Sequence, residues 1–521
     1  MAEGPPPSRM KTPLLEDDAA ARLNALEMAR NNVLVYQFFQ TLAWGIFFEV
    51  YSFYVTDGIC DGDSARGAAV ATYNSMLYGF CQFFSNPING SISDSVGRRP
   101  VLIVGCLSCG LGFCAYGLLP YVQAYLLIGV AVGLTNGSNT ASFATLVDCV
   151  TQGLAAPTPR LPGSGPRELC LTRLFYSLAR DPATAARATG GADGAKPEFD
   201  LNYELSLVYM VLWAWSLLGM LMGIGVATLL LQYVSYQDVM SVSGVVLLPL
   251  AVYMAACHPE TLPPSKRKEV SARLLRDAVC NQVRSITLLA SNKRIGQLSA
   301  INFLVTCAIY GQQTIVLFWL EYKFAFSSNE TALALVLSLV TISFWGWFTL
   351  RYGLTNLGYS KSFQWLLVLV GVAMTTQCFV YSGNWQFAFL AFRSAMWCVQ
   401  PLVTATMTPE VEYEDQGRLQ GAIYGVQMLG NLAGSFGFLR LFLATRGSYS
   451  NGSSAARHDL AADSANFLAA AIALFAAGLA YLTPEARAEA QALGQFKAGA
   501  LAEAPAADAV DESGEESAPP P

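Results

Sequence analysis

Twelve apolar runs, each close to the length that crosses a bilayer, divide this chain of 521 residues, and nothing else in it limits the fold as strongly. They lie at about 33–55, 68–92, 100–119, 121–147, 205–232, 239–256, 297–320, 331–350, 363–381, 385–407, 418–443 and 464–482. A helix needs about 20 residues, at about 1.5 Å each, to span the hydrocarbon layer. In that layer every backbone polar group must find a partner within the structure, so runs of this length fold as helices. The charged fraction of 13% is about half that of a soluble domain and agrees with this reading. The expected fold is an all-α membrane protein of twelve transmembrane helices.

Three polar segments organise the runs: 1–32 reads as an N-terminal tail, 33–256 as a first six-helix bundle interrupted by an insertion at 151–202, and 257–296 as a central loop. A second six-helix bundle follows at 297–483, and 484–521 is an Ala- and Glu-rich tail expected to be disordered. Six plus six helices about a long central loop predict two pseudo-symmetric bundles. With the N-terminus placed in the cytoplasm, 25 of the 31 Lys and Arg fall on the cytoplasmic side, and only Arg66, Lys323, Arg440, Arg446 and Arg457 fall outside. That asymmetry predicts cytoplasmic termini. Two sequons, Asn329-Glu-Thr331 and Asn451-Gly-Ser453, then face outward as candidate glycosylation sites. No cleavable leader precedes the first run, which begins near Val33 after a polar, Pro-containing stretch. Leu14-Leu15 beside Glu16-Asp17-Asp18 hints at vacuolar or lysosomal sorting, which leaves plasma membrane and endomembrane, Golgi included, both open.

Several function classes are disfavoured. No basic stripe interleaved with aromatics points to nucleic acid. The twelve cysteines are scattered, mostly inside apolar runs, so Cys106-x-x-Cys109 reads as helix packing rather than a metal or redox pair. Two histidines in separate loops build neither a catalytic set nor a metal site, and no phosphate-binding loop is present. No enzyme activity, metal or cofactor is expected.

Between the second and third runs stands Gly90-Ser-Ile-Ser-Asp94-Ser-Val-Gly97-Arg98-Arg99-Pro100. This short basic turn resembles the signature of the major facilitator superfamily. Further stretches are similar to its tetracycline-resistance-type branch and, within it, to the eukaryotic hippocampus-abundant-transcript-like proteins: Phe38-Phe39 to Gly45, Tyr310-Gly-Gln-Gln, Pro259-Glu-Thr-Leu-Pro263 and Asp415-Gln-Gly417 to Gly421. The resemblance covers about 33–150 and 203–482. It implies a secondary active transporter of a small organic solute, sugar-like or drug-like, working by alternating access. The expected state is a monomer in the lipid bilayer, with a proton as the coupling ion the resemblance allows. A non-transporting receptor or trafficking factor of the same fold is the alternative. Ser95 stands where a basic residue is usual, Gly129 to Gly133 lack an arginine, and Gly219 to Ile224 lack a proline, which weakens the implication of tetracycline export.

The resemblance also implies a gate of Gly90, Asp94, Gly97, Arg98, Arg99 and Asp148, with Asp94 set against the start of span 11 and an arginine bridging to Asp148. Of the charged residues only Glu49 and Arg393 stand well inside the spans, at what span counting makes equal depth on opposite bundles; a pairing or a shared solute site is expected, since an uncompensated charge there costs about 2.5 kcal/mol or more. Trp44, Asn136, Asn139, Tyr310, Gln312, Gln313, Trp397 and Gln400 complete the expected substrate and coupling residues.

Overall fold

The computed structural model describes residues 13–154, 168–179, 201–262, 293–349, 354–407, 416–447 and 451–482, with a few single positions between them. Among these residues there is no strand. The first helix, α1 (Pro13–Phe53), runs for 41 residues into a π-helical turn, Tyr54–Ile59. It starts well before the first apolar run. Leu23, Leu26 and Ala29 are buried, and Asn32 donates to the Cys257 carbonyl at 2.9 Å while accepting from the Tyr253 hydroxyl at 2.8 Å. Hydropathy overlooks this stretch because its inward face is partly polar.

Spans 2 and 3 are α2 (Ser64–Val96) and α3 (Arg98–Leu118). Span 4 is broken at Asn136–Gly137 into α4 (Val122–Thr135) and α5 (Ser138–Leu154). A short helix, α6 (Cys170–Ala179), stands within the 151–202 insertion. Span 5 is α7 (Leu201–Leu230), and span 6 is α8 (Tyr236–Val245) continued by α9 (Leu247–Cys257). In the second half, α10 (Lys293–Phe324), α11 (Ser328–Phe348) and α12 (Leu354–Gln377) are spans 7 to 9. Span 10 joins α13 (Gly383–Arg393), a 3-10 turn at Ser394–Cys398 and α14 (Val399–Met407). Spans 11 and 12 are α15 (Gln416–Thr445) and α16 (Ser464–Leu482). Among the described residues nine helices are long and apolar enough to cross a membrane, belonging to every span but 2, 4 and 9. Span 4 fails that criterion because the break shortens it. Ser235 with Asp238, and Ser327 with Glu330, form capping boxes that start spans 6 and 8 at definite residues.

Small residues bring the first bundle together. Cβ atoms at Gly219 and Gly223 of α7 would collide with the carbonyls of Phe38 and Leu42 on α1, so glycine sets that close approach. The bundles meet through span 2 against span 11, where Asn86 donates to the Tyr424 hydroxyl at 3.0 Å, and through span 5 against span 8, where Ile224 packs with Ala332 and Leu339. Residues 90–99 define the motif end of the molecule, and the opposite end is the far end. At the far end the bundles touch through Tyr51 and Phe318, with ring centroids 6.3 Å apart, and through Arg446 and Ser64.

Candidate functional site

At the motif end a glycine decides the geometry. Gly97 sits at φ +117°, in the left-handed region, and a Cβ there would strike the Glu260 carboxylate. The turn it makes ends α2 and starts α3 with Arg98 turned inward, 8% exposed. The Arg98 guanidinium donates to Asp94 at 2.6 Å, Asp148 at 3.1 Å and Ser93 at 3.0 Å. Glu260 accepts from the backbone N–H groups of Arg98 at 2.9 Å and Arg99 at 3.2 Å, so a carboxylate caps the positive end of α3. Arg99 turns away and donates to the Ala255 carbonyl. These described contacts join spans 2, 3, 4 and 6 of one bundle. The side chains at 416–421 lie outside the described residues, and the expected approach of Asp94 to span 11 with them. Gly90 packs on the methyl of Thr140. Beside Glu260 and Arg99, His258 is 1% exposed with neither ring nitrogen hydrogen-bonded. Burial pushes its imidazole down to about 4; Glu260 opposes the shift and Arg99 adds to it.

Glu49 and Arg393 do not form the expected pair. Glu49 is fully buried, accepts a 3.4 Å bond from the Ser328 hydroxyl, and leaves Oε2 without a partner. Ser328 is the first residue of α11, so Glu49 stands level with the far-end start of span 8. Arg393 donates to Gln312 Oε1 at 3.2 Å. Gln312 lies twelve residues before the end of α10, about 18 Å along the axis. Span counting took the two depths from the end of span 1 near 55 and the start of span 10 near 385; the contacts set Glu49 beside the first residue of span 8 and Arg393 beside Gln312. No salt bridge to either side chain occurs among the described residues.

The expected cavity residues divide. Trp44 is held within the first bundle by Phe47, Phe48, Tyr78 and Phe113. Asn136, 2% exposed, is bonded to Tyr78 and Ser138 at the break in span 4, whereas Asn139 is exposed. Gln312, 3% exposed, turns toward span 12, donating to Asn466 Oδ1 at 2.8 Å and the Ala465 carbonyl at 3.3 Å. Tyr310 meets Trp397 edge to face at 5.9 Å, Gln400 donates to Thr306 at 2.8 Å, and Gln313 is half-buried. Asn329 and Asn451 are both exposed.

Three features escaped the sequence. Lys323, placed in an outer loop by charge counting, is 1% exposed inside α10, its Nζ 2.6 Å from Asp463, itself fully buried. Trp319 donates to the other Asp463 oxygen at 2.9 Å. Arg30 and Glu168 form a second buried pair, joining α1 to the segment before α6. Glu260 belongs to a stretch noticed only for its resemblance; a carboxylate three residues past a span end was the available signal.

No family model matches the chain. It is 21% identical over 379 residues to the class G tetracycline resistance protein of Vibrio anguillarum, covering 72% of this chain and 80% of that protein. A stretch of 115 residues, 20% of this chain and 23% of the relative, is 30% identical to major facilitator superfamily domain-containing protein 10 of Mus musculus. The crystal structure of the human organic anion transporter MFSD10 (TETRAN) matches with a TM-score of 0.57 at 14% identity, covering 87% of this chain and 99% of that one. Fold and relatives together define a multi-pass membrane protein built on the two-bundle plan of secondary transporters. In fold and in these stretches of sequence the chain is similar to major facilitator superfamily transporters, the tetracycline-resistance-type protein and MFSD10 among them.

Proposed function

We propose that this chain carries a small organic anion across its membrane by alternating access, and that Arg393 receives the anion's charge. The observation behind this reading is one guanidinium. Arg393 lies ten residues into span 10 from Gly383, about 15 Å along the helix, and among the described residues its polar partner is the Gln312 amide. A cation in that position is expensive unless an anion or water meets it, and a guanidinium presents the fork that a carboxylate or sulfonate fits. MFSD10, a structural neighbour, is an organic anion transporter, which agrees with this chemistry. Spans 7 and 10 also carry Tyr310, Gln313, Trp397 and Gln400, which suit the uncharged body of such a solute.

A proton is the coupling ion in this reading. Glu49 is a buried carboxyl whose hydrogen bond among the described residues comes from Ser328 of the other bundle. It is suited to hold a proton while the far end is closed and to exchange it with water when spans 1 and 8 part. The Arg98 cluster keeps the motif end of the first bundle in one shape as the bundles rock. Both termini, on the charge argument, face the cytoplasm, and the exposed Asn329 and Asn451 are the positions for glycans. The test is uptake into proteoliposomes, with an imposed pH gradient, of carboxylates and sulfonates against neutral sugars and nucleosides. Gradient-dependent uptake of anions, lost in Arg393→Ala, is expected. Equal uptake of the neutral solutes by both proteins overturns the assignment.

A further inference from the structure

The insertion after span 4 carries a surface that the transport cycle does not use. Its helix α6 packs one face on the motif end of the first bundle. Glu168 pairs with Arg30, Thr172 accepts from the Trp215 indole N–H at 3.2 Å, and Tyr176 packs with Leu146 and Val208. Phe175 meets the Trp215 ring edge to face at 6.2 Å. The Trp215 ring also meets Phe38 at 5.8 Å, and Phe38 lies five residues into the first apolar run from Val33, about 8 Å along the axis. The helix is thus held beside the start of the membrane-crossing part of span 1 and not out in the aqueous loop.

At about 100° per residue, the remaining faces of α6 separate cleanly. Leu171, Leu174 and Phe175 form one stripe beside the packed face; Leu174 is 50% exposed and the other two are half-buried. Arg173 and Ser177, both exposed, occupy the opposite edge. Arg167 and Arg180 flank the helix in sequence. An apolar stripe beside the start of a span and a polar edge turned away from it are what a helix lying in the headgroup layer requires.

We propose that α6 is an interfacial helix whose Leu171–Leu174–Phe175 stripe is seated in the lipid leaflet at the motif end, with Arg173 and Ser177 facing the headgroups and water. The occupant of the stripe is the bilayer surface. Span 5 continues the same lipid-facing belt, with Trp213 60% exposed two residues from Trp215. Through the Arg30–Glu168 pair the leaflet is mechanically joined to α1.

The test places a polarity-sensitive fluorophore at Leu174→Cys, and separately at Leu171→Cys in case the first variant fails to fold. Ser177→Cys is the control. The background is the full chain with the exposed Cys170, Cys257 and Cys280 changed to serine, reconstituted in phosphatidylcholine–phosphatidylglycerol vesicles. The expected result is blue-shifted emission at 174 and 171, quenched by brominated lipid at least about twofold more than the label at 177, which answers instead to aqueous iodide. Iodide quenching at 174 equal to that at 177 overturns the proposal. So does protection of 174 from both quenchers, which would mean that protein covers the stripe.

Discussion

Among the described residues, five sites of buried charge fall into two kinds. Arg98 with Asp94 and Asp148, Lys323 with Asp463, and Arg30 with Glu168 are matched inside a single bundle. Glu49 and Arg393 have hydroxyl and amide company only. A matched pair in low dielectric is held by its partner and keeps helices in register, whereas an unmatched charge is under strain until something arrives. The first kind builds the bundles. The second is where a solute or a proton has reason to bind.

Substitutions can break this contrast. The largest effect is expected at Lys323→Met, which strands the Asp463 carboxylate and lowers stability by about 3–5 kcal/mol in thermal unfolding. The double variant Lys323→Met, Asp463→Leu is expected to recover most of that loss; if it does not, the pair is not what stabilises the far end. Arg393→Ala reverses the pattern. Stability holds or rises, while anion uptake falls about 100-fold, in line with about 2–5 kcal/mol for a desolvated charge contact. Arg393→Lys, lacking the fork, retains only part of the uptake.

Smaller effects sharpen the same contrast. Glu49→Gln is expected to leave thermal stability unchanged or higher, since it removes an uncompensated group, and to reduce the dependence of uptake on the pH gradient; an unchanged gradient response removes Glu49 from the coupling role. His258 gives the mildest signal. Its imidazole is held down to about 4 in the fold, against about 6.5 in the unfolded chain, so the unfolded chain binds the extra proton in between. Stability is therefore full above about pH 6.5 and declines as pH falls toward 4, by about 2 kcal/mol at pH 5. His258→Gln should flatten that decline in unfolding curves recorded from pH 7 to 5.

How much was readable beforehand follows from the range of the signals. Spans and the 90–99 turn are local, written in about twenty consecutive residues or in ten, and they were legible. The break at Asn136–Gly137 was not, because Asn136 exchanges its helical place for bonds to Tyr78 and Ser138, contacts that no window contains. Lys323 read as a loop residue since its partner is 140 positions away, and only the folding of 459–463 back onto span 7 buries it. The pairing of Glu49 with Arg393 failed for a related reason: counting residues from run ends carries no information on which side chains of other spans stand beside them, Ser328 for one and Gln312 for the other.

One helix, α1, outlasts its apolar run. Its 41 residues make a rod of about 60 Å, twice the thickness of the hydrocarbon layer. It carries Arg30, tied to the α6 segment, near its middle, and Glu49, touching the other bundle, near its far end, 19 residues or about 28 Å further on. A rigid rod is a lever. A tilt of about 10° about Arg30 displaces Glu49 by about 5 Å, more than the 3.4 Å that now separates it from Ser328. Small rearrangements at the surface where α6 lies can therefore appear, magnified, at the seam between the two halves.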